Sequence, residues 1–389
     1  MRGAIAGWAG VSLVCFAGWI SACSSSGEDP TTSAGGSGGA SSGGAAGSAS
    51  GGAAGSAGAA GSGGAAGSGG AAGSGGAAGS GGAAGSGGAA GSGGAAGGGG
   101  AAGGGGVPGQ SLRFAAIGDT GKGNDGQKQV AAAIKNKCDA EGCDFVQLLG
   151  DNIYDSGVSS TTDAQWQTKF EEPYANITLP FWVVLGNHDY GGNGLGYELP
   201  KADVQVAYSQ VSNKWTLPAK YYKHPAASVD FFGLDTNAAM FGLVGQQKTD
   251  VSNWIAASTA TWKIAFGHHP YKSNGPHGNA GSYDNLPFIP GANGAGVKDL
   301  LETTVCGKAD VYICGHDHSL QWLTPTCNGT ELIVSGGGAS NTDLPGSNPS
   351  YFQAAHIGFL YVVIEGKKFH GELIDETGKV LFSRDIVKP

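Results

Sequence analysis

The sequence predicts an α/β fold in which two packed β-sheets are flanked by helices. The main observation is that apolar runs recur after residue 111, each ending in a glycine followed by polar residues. These polar clusters are GDTG (118–121), GDNIY (150–154), GNHD (186–189), GHHP (267–270) and GHDH (315–318). Helical patterns over 125–137 and 296–306 separate several of the runs, and residues 359–387 read as three strands joined by tight turns. Ligands bind at the carboxyl ends of strands in such sheets, so we expect a site there.

The first 22 residues predict a lipoprotein signal peptide. Arg2 precedes an apolar stretch that ends in small residues, which is typical of a secretory signal rather than a membrane span. The segment Ile20-Ser21-Ala22-Cys23 resembles the bacterial lipobox, whose cysteine is lipidated and becomes the new N-terminus. The alternative is an ordinary signal peptide with a chance cysteine. We therefore expect export to a bacterial cell envelope, with a lipid on Cys23 as the anchor at the outer membrane or cell surface.

Residues 23–110 consist almost entirely of Gly, Ala and Ser, with the unit AAGSGG repeated many times. Such a tract has no side chains with which to build a core, and its glycines make ordering costly. The sequence thus predicts a disordered tether over 23–110. The remaining residues, 111–389, suit one large domain.

The charge of this domain argues against a nucleic-acid partner. The whole chain carries 21 basic and 30 acidic residues, a formal net charge of −9. Without Arg2, Glu28 and Asp29, which precede the domain, 20 basic and 28 acidic residues leave −8. An acidic domain binds nucleic acid poorly, and anionic substrates would need bound cations to attract them.

The cysteines predict disulfides, because an exported protein meets an oxidising compartment. Five cysteines remain after Cys15 and Cys23 are set aside. We expect two bridges, Cys138–Cys143 and Cys306–Cys327. An odd count leaves one cysteine unpaired, and we expect it to be Cys314, as a buried free thiol.

The cluster GHDH indicates a metal site. It places two imidazoles at the end of VYIC, a run typical of a buried strand. Taken alone, it could equally be a polar turn with surface histidines. Five strand ends that each carry a potential ligand are much harder to assign to turn chemistry. A glycine before each cluster lets the backbone turn sharply and leaves room beside a metal or phosphate.

In this order, the five clusters resemble the signature of the calcineurin-like metallophosphoesterases. The tyrosine of GDNIY makes the chain similar to purple acid phosphatases, above all to the small tartrate-resistant type. The similarity extends to 207–222 and 315–323, outside most of the clusters. It implies a four-layer α/β/β/α sandwich of mixed sheets. The implied activity is that of an acid phosphatase, which hydrolyses phosphate monoesters by attack of a metal-bound hydroxide.

The resemblance also implies a binuclear metal centre. Fe(III) would be held by Asp119, Asp151, Tyr154 and His318. A divalent metal, which could be Fe, Zn or Mn, would be held by Asp151, Asn187, His268 and His316. Asp151 would bridge the two. Carboxylate and phenolate oxygens suit a hard trivalent ion, whereas imidazole with an amide oxygen suits a softer divalent one.

Two further histidines, His188 and His277, match family histidines that bind the phosphate and protonate the leaving alcohol. Which of them is the main proton donor stays open, and His277 could instead be an ordinary loop histidine. His269 could be mistaken for the ligand, but the position after Gly267 favours His268. We expect His224 and His370 to be structural.

Two other functions remain possible on the sequence alone. The motifs also fit a phosphodiesterase or nucleotide phosphatase, because those reactions use the same metal core. The long tether would equally suit a non-catalytic surface binding module, although such a module would not need all seven ligands. We expect phosphate monoesters as substrates and a monomeric state.

Overall fold

A computed structural model of the protein describes residues 111–286, 288 and 291–389. The predicted signal peptide (1–22) and tether (23–110) lie outside the described residues, so these boundaries stay predictions. The strands are, in chain order, β1 (Leu112–Ile117), β2 (Phe145–Leu149), β3 (Phe181–Val184), β4 (Trp215–Thr216), β5 (Tyr222–Ala226), β6 (Val229–Gly233), β7 (Trp262–Phe266), β8 (Val311–Cys314), β9 (Leu320–Cys327), β10 (Thr330–Ser335), β11 (Ser350–Ala354), β12 (Gly358–Glu365), β13 (Lys368–Asp375) and β14 (Val380–Val387).

The helices lie between these strands. They are α1 (Asp125–Glu141), α2 (Pro200–Tyr208), α3 (Thr236–Met240), α4 (Gly245–Ala257) and α5 (Ala295–Thr304). Short helical turns cover Gln167–Glu171, His188–Tyr190, Gly192–Gly194 and Tyr283–Asn285. Of the helices in the part of the chain that the structure describes, none is long and apolar enough to cross a membrane.

Helix α1 illustrates how the sequence sets an element's limits. The side chain of Asn124 caps its start by accepting a hydrogen bond from the Gln127 amide. Val130 and Ile134 are fully buried and turn one face of the helix toward the core. The helix runs four residues beyond the predicted end, because nothing interrupts it before Gly142, which has a φ of 88°.

The strands form two seven-stranded sheets, which confirms the predicted fold class. One sheet has the order β14-β13-β12-β1-β2-β3-β4, and the other has β11-β9-β10-β8-β7-β6-β5. Strands β1, β2 and β3 are parallel, as are β6, β7 and β8, and both sheets also contain antiparallel pairs. Since parallel strands end at the same edge, the five polar clusters converge from both sheets on one place.

The two sheets pack face to face through aromatic side chains. Phe114 and Phe145 of the first sheet lie edge-on to Phe231 of the second, at ring centroid distances of 5.5 and 5.4 Å. All three rings are buried. Such offset and edge contacts add to the free energy gained by burying apolar area, so this interface fixes the two sheets against each other.

The structure contains both predicted disulfides and leaves Cys314 as a buried free cysteine. His224, predicted to be structural, stacks on Trp182 at 3.8 Å and is buried. Burial lowers the pKa of His224 to about 3, so this imidazole stays neutral. His370, also predicted to be structural, lies on β13 and pairs with Asp385 on β14.

Candidate metal centre

Three of the predicted ligands sit on strained backbone directly after a glycine. Asp119, Asp151 and His316 have φ values of 62°, 54° and 72°. This left-handed conformation is unfavourable for residues other than glycine, costing on the order of 1 kcal/mol each. Such strain persists where the surrounding structure fixes it, and it clusters at functional sites. Here the three side chains contact other predicted ligands beyond the ends of their strands.

The glycines of the clusters are required by close approach. A Cβ atom on Gly186 would lie 2.2 Å from Asp151 Oδ1. One on Gly150, whose φ is 91°, would lie 2.6 Å from His268 Nδ1. Any larger residue at either position would therefore displace a predicted ligand.

One half of the site is rich in oxygen donors. The hydroxyl of Tyr154 lies 3.1 Å from Asp119 Oδ1 and 3.0 Å from His318 Nε2. The same nitrogen of His318 is 3.5 Å from Asp119 Oδ1. These three side chains come from different segments, following β1, β2 and β8. We refer to Asp119, Tyr154 and His318 as the oxygen-rich half.

The other half is rich in imidazole nitrogen. His268 Nε2 lies 2.9 Å from Asn187 Oδ1 and 3.1 Å from His316 Nδ1. It is also 3.4 Å from Asp151 Oδ2. Asp151, His268 and His316 are buried, and each offers one donor atom within 4.8 Å of the other two, a spacing that could hold a metal ion. We refer to Asn187, His268 and His316 as the nitrogen-rich half.

Hydrogen bonds at Nδ1 of His268 and of His318 fix the direction of Nε2, the nitrogen that would bind a metal. His268 Nδ1 lies 2.9 Å from the carbonyl of Leu149, which can only accept, so Nδ1 carries a proton and Nε2 is the nitrogen that would bind a metal. Burial lowers the pKa of His268, but the neighbouring Asp151 raises it overall to about 9, so a metal would replace a proton on Nε2. His318 Nδ1 similarly contacts Ser340 Oγ at 3.0 Å, while its Nε2 faces Tyr154. Ligating histidines in metalloproteins are oriented in this way. The structure thus brings all seven predicted ligands together in one cluster, in which Asn187 and His318 are half-buried and the other five are buried.

The charges of the cluster also suit cations. Burial by itself raises the pKa of Asp151, but the neighbouring His268 and His188 lower it by more, so the carboxylate is ionised. Burial and the charges of Asp119 and Asp151 raise the pKa of Tyr154 well above 10. A multivalent cation between these groups would reverse the effect on the phenol.

His277 and His188 flank the cluster without belonging to it. The ring of His277 lies 4.1 Å from that of His316, and its Nδ1 is 2.8 Å from Asp284 Oδ1. The ring of His188 lies 4.3 Å from that of Tyr154. The structure thus places one predicted catalytic histidine beside each half.

His269 is distinguished from His268 by its surroundings. It is buried, and its Nδ1 lies 2.9 Å from the hydroxyl of Thr236 rather than facing the other donors. Burial and the neighbouring His268 lower the pKa of His269 well below 6.5. It is His268, by contrast, whose Nε2 lies 2.9 Å from Asn187 Oδ1, and its role as the ligand stays a prediction.

Several supporting residues were not predicted from the sequence. The buried carboxylate of Asp189 accepts hydrogen bonds from the amides of Gly186, Asn152 and Ile153, at 2.8 to 3.1 Å. It thereby joins the loop that carries Asn187 to the loop that carries Asp151. Asp189 belongs to GNHD, so its position in a polar cluster was the available signal.

Two more supporting carboxylates hold the His277 segment. Asp317 is buried, and its Oδ1 accepts a hydrogen bond from the backbone amide of His277 at 3.0 Å. Asp284 accepts from the imidazole of the same residue. Asp317 is the middle acid of GHDH, whereas Asp284 lies in a loop without any motif, so no sequence pattern could have identified it.

Comparison with known proteins places these features in a family. Residues 112–320 match the family model of the calcineurin-like phosphoesterases. Tartrate-resistant acid phosphatase type 5 of Sus scrofa is 30% identical over 322 residues, which cover 71% of this chain and 86% of that protein. Purple acid phosphatase 3 of Arabidopsis thaliana is 28% identical over 290 residues, covering 69% of this chain and 72% of that protein.

Solved structures show the same fold. A purple acid phosphatase from yellow lupin seeds superposes with a TM-score of 0.55 at 19% identity, covering 72% of this chain and 55% of that one. GAP50, the anchor in the inner membrane complex of Plasmodium, superposes with a TM-score of 0.58 at 23% identity, covering 72% and 90%. The predicted resemblance and enzyme class are confirmed: the chain belongs to the calcineurin-like phosphoesterase family, and its relatives there are purple and tartrate-resistant acid phosphatases.

Proposed function

We propose that the protein hydrolyses phosphate monoesters at a binuclear metal centre. The observation that carries this proposal is the pair of donor sets that meet at Asp151. Its Oδ2 lies 3.4 Å from His268 in the nitrogen-rich half. In the oxygen-rich half, the Tyr154 hydroxyl lies within 3.1 Å of both Asp119 Oδ1 and His318 Nε2. A lone structural ion would need only one of these sets.

The chemistry of the donors favours different ions in the two halves. A carboxylate and a phenol, with Asp151 as a shared ligand, suit Fe(III) in the oxygen-rich half. Two imidazoles and the amide oxygen of Asn187 suit a divalent Fe, Zn or Mn in the nitrogen-rich half. Such ions, when bound, neutralise phosphate oxygens and lower the pKa of the attacking water.

The residues of the chain itself would supply the proton and the orientation. His277 lies beside His316, and its Nδ1–H donates to Asp284 Oδ1, so Nε2 is left to carry a second proton toward the leaving oxygen. Asp317 fixes the backbone of His277 and so the direction of the ring. In this proposal His277 is the general acid.

His188 would hold the phosphate from the other side. Its Nδ1 lies 2.7 Å from the carbonyl of Asp155, which fixes the ring orientation, and its backbone amide donates to Asp151 Oδ1 at 2.9 Å. The ring therefore stands above the oxygen-rich half in a fixed position, with its Nε2 free of that carbonyl.

The test is to purify the protein, measure its metal content and visible spectrum, and assay two esters in parallel. We expect hydrolysis of 4-nitrophenyl phosphate at mildly acidic pH, iron together with a second metal, and a visible absorption band. Faster hydrolysis of bis(4-nitrophenyl) phosphate would favour a phosphodiesterase instead. Metal-loaded protein that cleaves neither ester would contradict the proposal and leave a non-catalytic binding module.

We also propose export and lipid anchoring, with residues 23–110 as a spacer between the membrane and the domain. The lipobox-like segment ending at Cys23 and the Gly/Ala/Ser tract after it support this. Cys23→Ser should move the protein from the membrane fraction to the soluble one. Unchanged partition, or a mature N-terminus at another residue, would contradict the anchor without affecting the proposed catalysis.

A further inference from the structure

A cavity of about 310 Å³ opens from the nitrogen-rich half. The predicted ligands Asn187 and His316 line it together with His277. A phosphate ester bound at these residues would therefore point its alcohol portion into this space. The volume lies at the lower end of the range found for small-molecule sites.

One part of the lining of this cavity is apolar. It consists of Leu195, Met240 and Phe241, which we call the apolar wall. Leu195 is 72% exposed and Phe241 is 42% exposed. Single exposed apolar residues are common on protein surfaces. Two exposed apolar residues and the half-buried Met240, in one cavity with the candidate metal ligands, form instead a surface that a ligand could cover.

The backbone holds Leu195 in this exposed position. The side-chain amide of Asn187 donates to the carbonyl of Gly194 at 2.8 Å, and that of Asn237 donates to the carbonyl of Gly196 at 2.9 Å. Both neighbours of Leu195 are thus fixed, one of them by a candidate metal ligand. Asn237 is itself buried at the start of α3, the helix that leads into Phe241. The wall is therefore tied to the metal centre rather than being a loose loop.

The charge of the cavity restricts what can occupy it. Among its lining residues in the described part of the chain, none is Lys or Arg. The phenol of Tyr283 is neutral because burial raises its pKa well above 10, so apart from the histidines the charged lining residue is Asp284, which is paired with His277. A leaving group with further phosphates, such as a nucleoside diphosphate, would find no cation here and would face a carboxylate.

His277 also lines a second cavity, of about 250 Å³, whose lining is polar. Hydroxyls and amides line it, from Ser273, Asn279, Ser282, Asn285 and Asn348. No predicted metal ligand contributes to this polar cavity. An alcohol bound to a metal-held phosphate is therefore directed to the apolar wall, while the polar cavity offers the alternative for a hydroxylated alcohol.

We propose that the apolar wall binds the leaving group, and that the protein prefers phosphate monoesters of uncharged, apolar alcohols, aromatic ones above all. This rests on the proposed phosphatase activity. The thioether of Met240 and the ring of Phe241 are surfaces on which an aromatic group packs well. Burying a ring against them strengthens binding in the transition state as well as in the ground state.

The experiment compares 2-phenylethyl phosphate with 2-hydroxyethyl phosphate, since both release a primary alkoxide and differ mainly in the apolar group. We expect kcat/KM to favour the phenylethyl ester by about 10–100-fold, the usual worth of a small apolar contact surface. The double variant Leu195→Ala/Phe241→Ala should lower this ratio by about tenfold or more. The variant Leu195→Ala/Phe241→Leu keeps an apolar side chain at position 241, so it should lower the ratio by less.

Leu243→Ala is the matched control. Leu243 is 59% exposed and follows Phe241 by two residues, but it lines a different cavity, behind α3. Its removal should leave the ratio unchanged. Binding of 2-phenylethylphosphonate and methylphosphonate, measured by calorimetry, should show the same preference without turnover and the same loss in the double variant.

Each outcome is decisive for one of the two proposals. Turnover of neither ester by metal-loaded protein overturns the proposed function. Turnover of both esters with a ratio near one, or a ratio that the double variant leaves unchanged, overturns the apolar wall alone. A preference for the hydroxyethyl ester would also overturn it and would point to the polar cavity.

Discussion

The two halves of the metal centre differ in the atoms that they offer and in how the fold supplies them. The oxygen-rich half places the phenol of Tyr154 3.1 Å from a carboxylate oxygen of Asp119. The nitrogen-rich half places two imidazoles, those of His268 and His316, within 3.1 Å of each other. The two sets are neighbours, yet they would select different ions. The difference indicates that the fold arranges an asymmetric pair rather than two copies of one site.

The surroundings of the two halves differ as well. His318 in the oxygen-rich half contacts a side-chain hydroxyl, that of Ser340. His268 in the nitrogen-rich half contacts a backbone carbonyl, that of Leu149, at the end of β2. A strand carbonyl cannot be substituted without moving the sheet, whereas a loop serine can. A side-chain mutation can therefore remove the hydrogen bond to His318 Nδ1 but not the one to His268 Nδ1.

The largest effect is expected from Asp151→Asn, because this carboxylate is the one ligand assigned to both halves. The amide keeps the size of the side chain but removes its charge. Both metals should be depleted, and turnover should fall by more than the roughly 10²–10⁴-fold that a general acid contributes. Metal analysis and 4-nitrophenyl phosphate turnover measure this.

Asp125→Asn is the control for Asp151→Asn, since Asp125 lies in the first turn of α1 and its side chain is exposed. Asp125→Asn should change neither the metal content nor the turnover of 4-nitrophenyl phosphate. An Asp151→Asn protein that loses one metal and keeps the other in full would show that Asp151 serves a single half, and the two halves would then be independent sites.

The next largest effect is expected from His277→Ala, which tests a residue beside the nitrogen-rich half against a ligand within it. His277 should be dispensable for metal binding, and its loss should slow turnover by roughly 10²–10⁴-fold. The loss should be greatest for alkyl phosphates, whose alkoxides need a proton, and smaller for 4-nitrophenyl phosphate. His268→Ala should instead deplete the divalent metal and slow both substrates alike.

Metal content and the two turnover rates separate these cases. If His277→Ala loses metal, or slows both substrates equally, His277 is not a dedicated acid. His188, on the side of the oxygen-rich half, would then become the better candidate for the proton donor.

The sequence predicted these residues better than it predicted their supports. The five clusters were recognisable because glycine and polar residues follow apolar runs, a local pattern that reflects strand ends. The order of the strands was not predictable, because pairing such as β10 with β8 depends on packing between distant segments. Strands β5 and β6, at one edge of the second sheet, were not assigned from the sequence.

Supporting contacts escaped prediction because they join segments that no spacing relates. His318 and Ser340 are 22 residues apart, and Lys122 reaches Ser340 across 218 residues. Neither Ser340 nor Lys122 belongs to one of the five clusters. The Cys138–Cys143 bridge, by contrast, spans five residues at the end of one helix, so its geometry is local and could be predicted.

A smaller effect on turnover, with a clear spectroscopic one, is expected from Tyr154→Phe. The change removes the phenol from the oxygen-rich half but leaves three of its four assigned ligands. A phenolate bound to Fe(III) transfers charge in the visible range, so the variant should lose its absorption band and retain part of its iron. The divalent metal, which Tyr154 does not hold, should be unchanged. A colourless wild-type protein with full iron occupancy would refute this assignment.

The smallest effect is expected from removing one hydroxyl beside each half. Ser340 Oγ lies 3.0 Å from His318 Nδ1, and Lys122 Nζ donates to the same oxygen at 2.8 Å. The hydroxyl thus holds the imidazole with Nε2 toward the metal position. Ser340→Ala should weaken ferric binding by about 10–100-fold, the usual worth of such a contact, while leaving the fold intact.

Thr236→Val is the matched variant in the nitrogen-rich half. The Thr236 hydroxyl accepts a hydrogen bond from the backbone amide of His268 at 3.2 Å and contacts His269. Its loss should weaken the divalent metal and leave the visible band unchanged, whereas Ser340→Ala should shift the band and leave the divalent metal in place. Titration with each metal, with circular dichroism as the check on folding, measures both. If either variant weakened both metals equally, the halves would be coupled through Asp151 so strongly that the difference in their donors would no longer determine which ion each one holds.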